Sequence, residues 1–222
     1  FLKRYGLIIL FFIVFSVVGV SSFNYVQTPT KKLPIYSPSM VSDELVEEDL
    51  RYVKKYHRIS DFSLFNQNGE NVTHDNYKNK IYVADFFFTT CPDICPIMTG
   101  NMLYLQENLK NNNEIMLASF SVTPDVDTVE VLKSYSLEKG VDDSKWNLMT
   151  GEKKQIYDLA RKSFLVAKKI HNEQTHGMIH TENFVLVDKE KRIRGYYDGT
   201  NIEEMDRLLD DIKILLDSYE SS

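Results

Sequence analysis

The sequence predicts an α/β domain with a mixed central sheet and helices on both faces. Three observations carry this. Apolar runs of strand length alternate with stretches of helical periodicity through most of 57–222. The chain closes with two short apolar runs and an amphipathic stretch, the pattern of a terminal hairpin followed by a helix. The only two cysteines among 222 residues, Cys91 and Cys95, fall where the first long apolar run gives way to a helical pattern.

Each element has its own signal. Residues 62–65 and 71–73 flank Gln67-Asn68-Gly69, a hairpin turn, which gives an N-terminal hairpin. The run 81–89 reads as apolar throughout, as a strand buried on both faces should be. A helix follows over 96–108, with Ile97, Met102, Leu105 and Leu109 at compatible spacing, and 114–122 is the second central strand. Asp127 with Glu130 three residues later resembles a capping box and opens another helix. Residues 146–150 read as a short strand, 152–167 as a helix with Ile156, Leu159, Ala160 and Phe164 inward. Residues 183–188 and 192–197 form a strand pair, and 202–219 a closing amphipathic helix. A thiol motif between the first strand and its helix makes the thioredoxin-like arrangement the natural choice.

A hydrophobic fraction of 43% supplies a core, and a net charge of −6 argues against nucleic acid as a partner. Two cysteines in so long a chain are a site rather than a disulfide framework. Lys3 and Arg4 precede an uncharged stretch, 5–23, that is apolar on all faces. It is expected to be an uncleaved transmembrane helix with its start in the cytoplasm, rather than a cleaved signal peptide, since no Ala-x-Ala-like site follows. The absence of an Arg- and Ser-rich presequence favours a bacterial cytoplasmic membrane over a mitochondrial one. Pro29, Pro34, Pro38 and the acidic run 43–49 make 24–56 a tether, part of which packs on the domain. The expected organisation is therefore anchor 1–23, extracytoplasmic tether 24–56 and globular domain 57–222.

Two thiols four positions apart can act as a redox pair, with a Cys91–Cys95 disulfide, or as a clamp for a soft metal. Each is followed by proline, so each is compatible with a helix N-terminus. Thioredoxin-type enzymes usually have two residues between the thiols and a proline before the terminal hairpin. Here there are three residues, and 170–187 contains no proline. That loop holds His176, Met178 and His180 instead. Two thiolates and an imidazole suit copper or zinc. His180, nearest the following strand, is the preferred third ligand and His176 the alternative. His171 reads as a solvated loop residue, and His57 and His74 as structural. Met98 and Met102 read first as core packing. Asp127 is either a helix cap or a residue that orients a ligand from behind.

The segment 88–98, Phe-Thr-Thr-Cys-Pro-Asp-Ile-Cys-Pro-Ile-Met, resembles the copper-site motif of the Sco/SenC family. Residues 121–135 are similar to its second block, 146–151 to its third, and His180 before 183–188 to its histidine ligand. The resemblance covers about 57–217. It implies a thioredoxin-like domain binding one copper ion, Cu(I) or Cu(II), through Cys91, Cys95 and His180. It also implies a role in assembling the CuA centre of cytochrome c oxidase subunit II, by delivering copper, by reducing the target's cysteines, or both. Other copper chaperones or thiol reductases are further expected partners. Thr123 stands where the family often has Asp. The competing reading is a thiol-disulfide oxidoreductase using the same cysteines without metal. A redox or copper sensor is a third, and a peroxidase is disfavoured by Phe88 at the position where a Thr or Ser is wanted.

Overall fold

The computed structural model describes residues 2–27, 32–46, 48, 50–55, 57–167, 179 and 181–220. They form two units, Phe1–Lys32 and Leu33–Ser222. In the first, Leu2–Gln27 is one 26-residue helix, α1, whose described side chains, among them Ile8, Phe11, Phe15 and Val20, are exposed. Among the described residues no helix is long and apolar enough to cross a membrane. Among those residues the expected transmembrane span is therefore not borne out.

The second unit is built on one seven-stranded sheet. Its strands are β1 (Ser63–Asn66), β2 (Asn71–Thr73), β3 (Ile81–Phe87), β4 (Ile115–Ser121), β5 (Trp146–Thr150), β6 (Asn183–Val187) and β7 (Ile193–Asp198). Their spatial order is β2-β1-β5-β4-β3-β6-β7. The central β3, β4 and β5 run parallel, and every other pairing is antiparallel. The mixed α/β sheet expected from the sequence is present. Gly69 takes a left-handed φ of 74° in the β1–β2 turn, a conformation glycine adopts without a Cβ clash.

Helices cover both faces. Beneath one lie α2 (Ile94–Leu109), α3 (Val129–Lys139) and α5 (Ile202–Glu220), which pack Met98, Met102, Leu105, Leu132, Leu208 and Ile212 against Val83, Phe87, Leu117 and Leu148. On the other face Tyr82, Ala84, Phe86 and Phe120 meet Ile156 of α4 (Lys153–Asp158) and Phe164 beyond it. Strand alternation sorts β3 between the two layers. α4 does not run on to 167. After Asp158 the chain widens into a π turn over Leu159–Ser163, where the Phe164 N–H donates to the Leu159 carbonyl at 2.8 Å, and Leu165 has φ 56°.

Part of the expected tether belongs to this body. Leu33, Pro38 and Val46 are buried. Arg194 of β7 donates to the Leu33 and Pro34 carbonyls, both at 2.8 Å, and its guanidinium is braced by buried Asp188 at 3.0 Å. The Tyr36 N–H donates to the Ile193 carbonyl at 2.9 Å.

Candidate metal centre

The site lies beyond the carboxyl ends of parallel β3 and β4, the place where open α/β sheets bind ligands. β3 ends at Phe87, α2 begins at Ile94, and the intervening loop carries Cys91. The helix starts two residues earlier than the sequence suggests, so Cys95 is its second residue and Cys91 lies outside it. The reason is local: Asp93, with φ −113° and ψ −95°, is the last non-helical residue. Both cysteines are free thiols and buried, at 9% and 4% exposure.

Their environments differ. Burial raises the Cys91 pKa, but backbone N–H groups of Cys95, Asp93 and Ile94 and the Cys95 thiol donate to its sulfur, and the net effect puts it below the ordinary thiol value. This is the donor cluster of a helix N-terminus, which favours thiolate. Cys95 is pushed up to about 12, first by burial and then by the charges of Cys91 and Asp85, against a hydrogen bond from the Phe88 backbone. The loop thus supplies one sulfur disposed to ionise and, bonded to it, one that holds its proton.

Two buried carboxylates stand behind the pair. Asp127, fully buried, accepts from the Thr89 N–H at 3.2 Å, Thr89 Oγ1 at 2.5 Å, Ser121 Oγ at 2.5 Å and Thr123 Oγ1 at 3.0 Å. It does not cap α3. Thr128 does, accepting from the Val131 N–H at 3.4 Å. Asp85, on the α2 face of β3, accepts from Ser119 Oγ, which itself accepts from Trp146 Nε1 at 2.8 Å. Burial raises its pKa to about 7. The sequence reading passed over Asp85 and Thr89. Asp85 is the one charged residue inside the run 81–89, and that was the available signal.

His180, His171, His176 and Met178 lie outside the described residues. The neighbours Ile179 and Thr181 are buried. β6 pairs antiparallel with β3, Ala84 opposite Val185, so the start of β6 lies beside the end of β3 that leads to Cys91. Among the described residues no three His, Cys, Asp or Glu side chains gather as a metal site. Of the expected ligands among the described residues, Cys91 and Cys95 come together. Met98 and Met102 are core residues. His57 Nε2 bonds the Ser163 carbonyl at 2.6 Å, and His74 is buried among Phe62, Tyr77 and Tyr82 with its pKa lowered to about 4 by burial.

Residues 51–217 match the SCO1/SenC family model. The chain is 33% identical over 160 residues to the SCO1 protein homolog of Bacillus subtilis, covering 71% of this chain and 82% of that one. It is similar to the crystal structure of a SCO1/SenC family lipoprotein from Bacillus anthracis, with TM-score 0.65, 32% identity, and coverage of 72% and 95%. It is also similar to BsSco, described as a Sco family cytochrome c oxidase assembly protein with a disulfide switch (TM-score 0.60, 32% identity, 71% and 93% covered). Arabidopsis thaliana ScoI, solved with copper bound, superposes with TM-score 0.56 at 26% identity, covering 69% and 97%.

Proposed function

The chain belongs to the SCO1/SenC family, and from that premise we propose that it is a membrane-anchored copper chaperone acting in cytochrome c oxidase assembly. Cys91, Cys95 and His180 hold one copper ion, the cysteines as thiolates and the histidine as neutral imidazole. The observation that carries the reading is the meeting of the two sulfurs at the mouth of α2, a soft donor pair suited to Cu(I). Copper-bound and oxidase-assembly relatives support it. The ion is cargo. It leaves by exchange onto the thiolates of a target, for which the CuA domain of oxidase subunit II is the candidate, with other copper chaperones as donors. The helix α1 anchors the protein in a bacterial cytoplasmic membrane with the sheet domain outside, a reading supported by the exposed apolar side chains from Ile8 to Phe15 and by the lipoprotein relative.

Copper titration of the reduced full chain tests this. One equivalent bound, with thiolate-to-copper absorption that needs both cysteines, is expected. His180→Ala should weaken Cu(II) more than Cu(I), because two thiolates alone hold Cu(I). Equal retention of both ions would sink the three-ligand set.

A second reading has its own observation. The unequal cysteines suit thiol-disulfide exchange, with Cys91 as the attacking thiolate and buried Cys95 as the resolving thiol. Reduction of a disulfide substrate that persists in His180→Ala and under chelation would favour it.

A further inference from the structure

Asp127 is a carboxylate that neither reading uses. It is fully buried, and its four donors come from three stations of the backbone: Thr89 in the cysteine loop, Ser121 at the end of β4, and Thr123 in the turn beyond. Its own N–H donates to the Thr123 carbonyl at 2.8 Å. The Ser121 and Thr123 arms bind it to the sheet. The Thr89 arm, through both backbone and hydroxyl, is fastened two residues before Cys91. The loop's other bonds, from the Cys91 N–H to the Phe88 carbonyl at 3.4 Å and from the Asp93, Ile94 and Cys95 N–H groups to the Cys91 sulfur, join it to itself and to α2, whereas the Thr89 arm joins it to the end of β4.

We propose that Asp127 is a positioning residue that pins Thr89 to the sheet and so keeps the Cys91 sulfur within reach of Cys95. The proposal rests on the reading of these cysteines as the working pair. Its physical content is preorganisation. Two thiols held together present one chelate to a soft ion, and close into one disulfide, at a higher effective concentration than thiols on a loose loop. Asp127 therefore acts on both chemistries through Thr89 and touches neither sulfur.

The test compares the full chain with Asp127→Asn, Thr89→Val, their double variant and Thr128→Ala, each shown to be folded by its thermal unfolding. Two readouts are taken. One is copper affinity with the thiolate-to-copper absorption band. The other is the equilibrium in which glutathione disulfide oxidises the Cys91 and Cys95 thiols: it takes two electrons and two protons, its S–S bond breaks to give two glutathione thiols, and the intramolecular disulfide forms. Asp127→Asn and Thr89→Val should each lower copper affinity about tenfold, move the absorption band and weaken the disulfide. The double variant should do no worse than Asp127→Asn alone, since Thr89→Val removes only the hydroxyl half of the linkage that Asp127→Asn breaks. Thr128→Ala, which removes the α3 cap and no bond to Asp127, should cost melting temperature but leave band and constants as they were. Wild-type constants in Asp127→Asn, a double variant worse than Asp127→Asn, or the same losses in Thr128→Ala would overturn the proposal. If the wild type binds no copper, the metal reading fails, and the glutathione equilibrium still decides the role of Asp127.

Discussion

Replacing Asp85 by Asn should stabilise the protein at neutral pH and leave it little changed in acid. Asp85 is 2% exposed, faces the apolar layer between β3 and α2, and has one side-chain partner, Ser119. Burial there lifts its pKa from 3.8 to about 7. The folded state thus keeps a proton that the unfolded state has released, so this group lowers stability as pH rises from about 4 to about 7. At about 1.4 kcal/mol per tenfold change in proton affinity, the full effect is up to ~4 kcal/mol. Asparagine carries no charge to bury. Above pH 7 the variant should gain most of that, a rise in melting temperature on the order of 8–16 °C for a chain of this size. His74 complicates the wild-type curve. Its pKa is depressed to about 4 by burial, so it adds stability as pH rises from about 4 to 6.5, against Asp85 in the same window. The wild type alone can therefore look flat, and the difference between variant and wild type is the quantity to read. The assay is thermal and urea unfolding of the metal-free full chain from pH 4 to 8. A difference that stays constant over that range, or a variant no more stable at pH 8, would refute the reasoning.

Cys95→Ser should leave Cys91 able to attack a small disulfide and trap the mixed disulfide, whereas Cys91→Ser should react far more slowly at pH 7; mass spectrometry of timed samples separates them. Copper loading should release protons, and affinity should fall as pH is lowered, since Cys95 must give up a proton held with a pKa of about 12; calorimetry in buffers of different ionisation enthalpy reads this directly. Gly199→Ala should destabilise by ~1–3 kcal/mol in urea unfolding, because a Cβ there would lie 2.5 Å from Phe184 Cε1 and 2.8 Å from the Glu182 carbonyl oxygen. Thr128→Ala should cost ~1 kcal/mol as a lost helix cap and leave copper affinity unchanged.

What was legible in the sequence was whatever repeats locally. The runs at 81–89 and 114–122 are long and apolar because β3 and β4 are covered on both faces, and Asn68-Gly69 marks its turn because the backbone there needs a positive φ. The closing helix shows its buried stripe through Met205, Leu208, Ile212 and Leu215. Features set by distant partners were not legible. Ile156, Leu159, Ala160 and Phe164 keep helical spacing, and nothing in that spacing signals the widened turn at Leu159–Ser163. Asp127 and Thr128 are both good caps, and the choice fell to Thr128 because three hydroxyls and an amide elsewhere in the fold claim Asp127. Leu33 joins the body through carbonyls held by Arg194, 161 positions away, and backbone carbonyls leave no trace in composition.

The same distinction bears on the site. The sequence put two cysteines at one strand-to-helix junction, and on that evidence they are interchangeable. They cease to be so because α2 starts between them, at Ile94. A helix beginning there turns its unpaired N–H groups toward Cys91 and carries Cys95 down into the layer of Met98 and Met102. Had it begun at Pro96, Cys95 would have been left at the helix mouth beside its partner. A two-residue difference in one helix start thus separates a sulfur disposed to ionise from one that holds its proton. On the two proposed readings the same proton matters twice: a soft ion bound by both sulfurs would have to displace it from Cys95, and a mixed disulfide on Cys91 would have to wait for Cys95 to lose it. Each chemistry is gated by the buried thiol, so conditions that ionise Cys95 should favour both together.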